Sequence, residues 1–240
     1  MMMNMVLSKS VIAFSLIFAI FFSNENFIID FEDEIEKAFL LQKKIYNIFK
    51  SRVELMENDY QICSSIIFPE LVRYSLIRQK LENMILTNLY TIHGSRFADK
   101  SVGIFQIKPT FVELLEEELK KYKELKKYSF IWKYPEGLSK IEKRKIRAER
   151  MLDLVWQIDY LISFVSLLDH FYKSNENSLK FNNKREKIAF YSSAYNCGHW
   201  FDKEKIEYYM GKNFFPSDLG KIFRKYNYSD ISLFYYDKIF

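Results

Sequence analysis

The apolar positions of this chain recur mostly at helical spacing. Phe31, Ile35, Phe39 and Leu40, then Ile45, Ile48 and Phe49, predict a helical lead-in over residues 25–57. Asp30, Glu32, Asp33 and Glu34 crowd its start, where the helix dipole favours acids. From Asp59 to Tyr90 the pattern continues through Ile62, Ile66, Ile67, Leu71, Val72, Leu76, Leu81, Ile85 and Leu89. Pro69 interrupts it, so a bend is expected beside Glu70. Residues 96–110 lose the helical period and contain Gly103 and Pro109, which predicts a loop or short β-hairpin. Phe111 to Tyr128 predicts a helix with Glu116–Lys120 and Glu117–Lys121 pairs. Ser139 and Glu142 have capping-box spacing and open a basic helix carrying Lys140, Lys143, Arg144, Lys145 and Arg147. Met151 to Tyr172 is apolar nearly all round, as in a buried central helix. Lys184 to Asn196 predicts one more helix, ended by Gly198. The tail from Pro216 is aromatic-rich, with a short helix led by Ser217.

Composition narrows the class. Gly and Pro number only 6 and 4 in 240 residues, too few for the turns of a sheet-rich domain, so the fold is expected to be mainly α. The first 24 residues stand apart. Their one charge is Lys9, followed by an apolar run from Val11 to Phe22 broken only by Ser15. That length suits a secretory signal peptide or N-terminal anchor rather than a comfortable membrane span. Bulky Phe21 and Phe22 make a poor cleavage site, so retention as an anchor is an open alternative. Export to the periplasm or cell envelope is the expectation. There Cys63 and Cys197 could pair or stay free. The net charge is +5, a mild value that suits a polyanionic envelope without demanding one. The basic run from Lys140 to Arg150 fits a solvated helix face better than a nucleic-acid stripe. His93, His170 and His199 have no ligand spacing, so neither metal nor cofactor is expected.

Three short segments could carry chemistry. In Ile66-Ile67-Phe68-Pro69-Glu70-Leu71, a lone carboxylate follows an apolar run. Burial there would favour its protonated form, as a glycosidic acid needs near neutral pH. In Ser101-Val102-Gly103-Ile104-Phe105-Gln106-Ile107, the glycine permits close backbone approach to a ligand, and Gln106 offers donor and acceptor atoms. In Ser193-Ala194-Tyr195-Asn196-Cys197-Gly198, Tyr195 could hold a carboxyl and Asn196 could meet substrate. Each has an ordinary structural reading as well: a helix start, a hairpin and a helix C-terminus.

In this order the segments resemble the lytic transglycosylase family, which shares the lysozyme-like fold with goose-type lysozyme. That family shows a Glu at the end of an apolar helix, then Gly-Leu-Met-Gln, then Ala-Tyr-Asn-Ala-Gly. Here Leu71 follows the Glu where Ser is usual, Phe105 replaces Met, and Cys197 replaces the second Ala. The likeness covers residues 60–200, strongly only in these islands. It implies a lysozyme-like helical domain over 58–240, with the charged helical segment 111–150 as an insertion or enlarged lobe.

The resemblance also implies an activity: bacterial peptidoglycan cleaved at the β-1,4 bond between N-acetylmuramic acid and N-acetylglucosamine. Glu70 would protonate the glycosidic oxygen, then take the C6 hydroxyl proton to leave a 1,6-anhydro end. Gly103, Phe105, Gln106, Tyr195 and Asn196 would form the cleft, with Tyr195 hydrogen-bonded to Glu70. The alternatives are lysozyme-like hydrolysis with Asp99 as a second acid, and a non-catalytic peptidoglycan-binding envelope protein. Tyr226, Tyr228, Phe234, Tyr235 and Tyr236 could stack on sugars or fill the core. The expected partner is the glycan strand. Nucleic acid is not expected, and membrane contact would come only through an uncleaved N-terminus.

Overall fold

A computed structural model describes residues 26–76, 80–173, 178–216 and 224–240. The expected signal or anchor over 1–24 and the helix led by Ser217 lie outside these residues. The described chain is mainly helical: α1 Glu32–Leu55, α2 Tyr60–Leu76, α3 Lys80–His93, α4 Pro109–Leu119, a 3-10 segment Lys123–Ile131, α5 Lys140–Leu152, α6 Leu154–Lys173, α7 Lys184–Cys197, α8 Lys203–Met210 and α9 Tyr228–Ile239. Two short antiparallel strands, β1 Asn213–Phe215 and β2 Tyr226–Asn227, precede α9. No single helix among the described residues is long and apolar enough to cross a membrane.

The lead-in helix is part of the core. Its residues Ile35, Ala38, Gln42, Ile45, Phe49 and Val53 recur every three or four positions and are buried. They pack against α2 and α6. Arg52 closes that contact by gripping the buried Asp159 of α6 with two bonds of 2.6 and 2.8 Å.

α2 is the spine on which the candidate site hangs. Every residue from Ile62 to Arg73 is buried. The helix runs through Pro69 without a break. An interior proline costs a helix about 3 kcal/mol, and packing from all sides offsets this. Phe68, for example, stacks on Tyr235 of α9 with ring centroids 4.5 Å apart.

The charged stretch after Pro109 departs from expectation. α4 stops at Leu119, and residues 123–131 wind as a 3-10 helix. Leu125, Tyr128 and Ile131 are its buried residues. Their spacing of three matches a helix of three residues per turn better than an α-helix. Glu116 does not pair with Lys120. It is 3% exposed and receives two bonds from Arg147 of α5, at 2.9 and 2.7 Å. Tyr134 donates to the same carboxylate. On the outer side Lys121 pairs with Glu118 at 2.6 Å.

The capping box of Ser139 and Glu142 opens α5. Asp153 then divides the basic helix from the buried one. Its carboxylate caps Trp156 N–H at 3.0 Å, and the two helices meet at 94°. α7 ends at Gly198, whose φ of 71° is the left-handed conformation that glycine adopts without strain. Cys63 and Cys197 are free thiols.

Candidate functional site

The three sequence islands meet at one cavity of about 640 Å³. Glu70 on α2, Gln106 in the loop before α4, and Tyr195 with Asn196 on α7 all line it. Asp99 borders it too, as do Phe111 of α4, Trp200, and Tyr209 and Phe214 near the mouth.

The loop owes its shape to a six-residue closure. Val102 and Ile107 exchange backbone bonds of 3.0 and 2.9 Å, leaving residues 103–106 as the turn. Gly103 takes φ +74° there. The close approach expected at this glycine is to a protein side chain rather than to a ligand. A Cβ at position 103 would lie 2.5 Å from Gln157 Nε2. Gln106 also adopts a left-handed backbone, φ 53°, unusual for a residue with a side chain. Its Nε2 donates to Gly103 O at 2.7 Å, a local bond that helps hold the strained residue.

Phe105 corrects the expectation that it lines the cleft. It is fully buried, with its ring 5.6 Å from that of Phe49 in the core. Its peptide is clamped instead: the N–H donates to Gln157 Oε1 at 2.7 Å, and the C=O accepts from the Tyr195 hydroxyl at 2.8 Å. The side chain faces the core while the backbone fixes Gln106 at the cavity.

Tyr195 therefore does not hold Glu70 by the expected hydrogen bond. Its proton goes to the Phe105 carbonyl, and burial, with the nearby Glu70 charge, pushes its pKa well above the usual range. Tyr228 of α9 is a second tyrosine whose hydroxyl feels the Glu70 carboxyl. It is buried, and burial together with the Glu70 carboxyl raises its pKa far above the ordinary value. Its hydroxyl also lies 3.2 Å from Ile66 O, one turn before Glu70.

Glu70 is 3% exposed. Arg73, one turn further along α2 and also on the cavity wall, brings Nη1 to 3.4 Å from Glu70 Oε2. The carboxyl is thus both shielded from solvent and beside a guanidinium. Neither Arg73 nor Tyr228 was a site candidate from sequence. Tyr228 stood among the tail aromatics, three of which, Tyr226, Tyr228 and Tyr235, are buried in the core rather than offered to a ligand.

Asp99 borders the cavity with both oxygens engaged. Oδ1 accepts from Thr110 N–H at 2.9 Å and Oδ2 from the Thr110 hydroxyl at 2.8 Å, so it caps the start of α4. Asn196 is half-buried at the rim, beside Cys197, whose thiol pKa is raised by burial. The arrangement can deliver and take back one proton at a shielded carboxyl, beside an amide and under aromatic walls. Neither the sequence, compared with protein-family models and curated proteins, nor the structure, compared with solved structures, finds a match.

Proposed function

We propose that this chain is a peptidoglycan lytic transglycosylase with a lysozyme-like fold, exported to the bacterial envelope. The observation that carries the reading is the buried Glu70, set at the wall of a cavity shared with Gln106 and Asn196. A single acid near neutral pH needs such shielding. The reaction asks Glu70 to be an acid first and a base second. Arg73, at 3.4 Å, is placed to stabilise the carboxylate that the first step leaves behind.

In this reading Glu70 protonates the oxygen between N-acetylmuramic acid and N-acetylglucosamine. The substrate's own N-acetyl group stabilises the developing cation. Glu70 then removes the C6 hydroxyl proton, and a 1,6-anhydro ring closes without water. Gln106 and Asn196 supply amide contacts to the sugar, and Phe111, Trp200, Tyr209 and Phe214 supply ring surface. Arg73 and Lys108 add positive charge suited to the carboxylates of the muramyl strand. Hydrolysis through Asp99 is the weaker reading, since Thr110 occupies both Asp99 oxygens.

Mass spectrometry of digested sacculi tests the proposal. Anhydro-muramyl ends are expected from the native chain and should fall by at least about 100-fold in Glu70→Gln, the scale of a lost general acid. Reducing ends would replace transglycosylation by hydrolysis. No products at all, with sacculi still bound, would leave a binding protein.

A further inference from the structure

Beside the cavity, four large apolar side chains stand in water. They are Leu89 and Ile92 on α3, Phe97 in the next loop and Ile141 on α5, between 41% and 77% exposed, with Phe97 the most exposed. They form one surface. Leu89 and Ile92 are three residues apart on α3 and so share a face. The Phe97 ring lies 5.7 Å from His93. Arg144 Nη1 donates to Ile92 O at 3.3 Å, and Ile141 sits one turn before Arg144, which puts it next to the same helix end.

Cations flank these residues along the chain. Arg96, Lys100, Lys140 and Lys145 are exposed, and Arg144 lies among them. Glu142, the acid next to Ile141, is turned to its capping box with Ser139. Apolar prongs flanked by exposed Lys and Arg match the interface of an anionic bilayer, where apolar side chains pass below the phosphates and cations meet them. A nucleic-acid surface would set its cations along a groove with aromatic platforms for bases. Leu89, Ile92 and Ile141 offer a base neither stacking nor hydrogen bonds.

We propose that this face docks on an anionic lipid surface, independently of any attachment through residues 1–24. Phe97 is the tip that enters. Asp99, two residues on, already borders the cavity, so docking sets the rim of the cleft against the membrane.

The test reads the tip itself, so that attachment elsewhere does not mask the answer. The full chain carrying Phe97→Trp is mixed with phosphatidylglycerol vesicles whose acyl chains are brominated, and its fluorescence quenching is compared with that of the unsubstituted chain, which has Trp132, Trp156 and Trp200. Added quenching is expected on phosphatidylglycerol and not on phosphatidylcholine. Lys140→Glu with Lys145→Glu should move the half-saturating lipid concentration up by at least about 30-fold, roughly fivefold for each cation removed. All these positions are exposed, so circular dichroism should stay unchanged. Vesicle-bound protein with no added quenching, equal quenching on both lipids, or quenching indifferent to the charge reversal would each overturn the proposal. So would a response of the introduced indole to single-stranded RNA but not to vesicles.

Discussion

Gly103→Ala should be far more damaging than the addition of one methyl group suggests. Position 103 has φ +74°, where an L-residue with a Cβ costs about 1–2 kcal/mol. The new methyl would lie 2.5, 2.7 and 2.8 Å from the Nε2, Cδ and Oε1 of Gln157. Gln157 is fully buried on α6 and cannot swing into solvent. Moving it breaks the 2.7 Å bond it accepts from Phe105 N–H. A buried donor left without an acceptor costs about 1–3 kcal/mol. Together these give a loss of about 2–5 kcal/mol, or roughly 4–20 °C in Tm for a chain of this size. Guanidinium unfolding followed by circular dichroism measures it. Gln157→Ala alone should also destabilise, because the same N–H loses its acceptor. The double variant should then lose clearly less than the two single losses added, because the clash vanishes with the amide. A loss below about 0.5 kcal/mol in Gly103→Ala, in the range of a neutral surface change, would refute the account of this loop.

Two further outcomes follow from the site and from α9. Tyr228→Phe and Tyr195→Phe should separate: the first removes a buried hydroxyl that is electrostatically coupled to Glu70 and should change the pH profile of muropeptide release, whereas the second should lower stability by about 1 kcal/mol through the loop and leave the profile's shape intact. Identical pH profiles for the native chain and Tyr228→Phe would remove Tyr228 from the acid's environment. Asp230→Asn should stabilise the protein near neutral pH. Burial raises the Asp230 pKa above its ordinary 3.8, so the folded state holds its proton to higher pH than the unfolded state. Its contribution is therefore full below 3.8 and is lost as pH rises through the folded value. The amide is spared that loss, so thermal melts of the two chains should converge in acid and separate toward neutrality; a gap that widens in acid would reverse the sign.

What could be read from the sequence was local. The capping box at Ser139, the glycine stop at Gly198 and the period of the buried helices depend on neighbours within a few residues. The inward turn of Phe105, beside a Gln106 that does reach the cavity, was not legible. An apolar residue beside a glutamine looks the same whether it faces a cleft or a core, and only Gln157 and Tyr195, distant in the chain, decide which. Glu116 misled for a related reason: its spacing to Lys120 suits a surface pair, and Arg147 outcompetes it from a separate helix. Tyr228 was hidden most deeply. Nothing near residue 228 says that its hydroxyl reaches back to the turn of Ile66 and Glu70.

α4 has two working faces. Thr110, Phe111 and Leu114 look into the cavity, while Glu113 and Glu116 are clasped by Arg147 from behind. The helix is thus a shared wall, lining the cavity on one side and tied to the basic helix α5 on the other. Replacing Arg147 would therefore strip the buried Glu116 of its cation directly behind the cavity wall, so a change on the basic helix reaches the cleft through the back of α4.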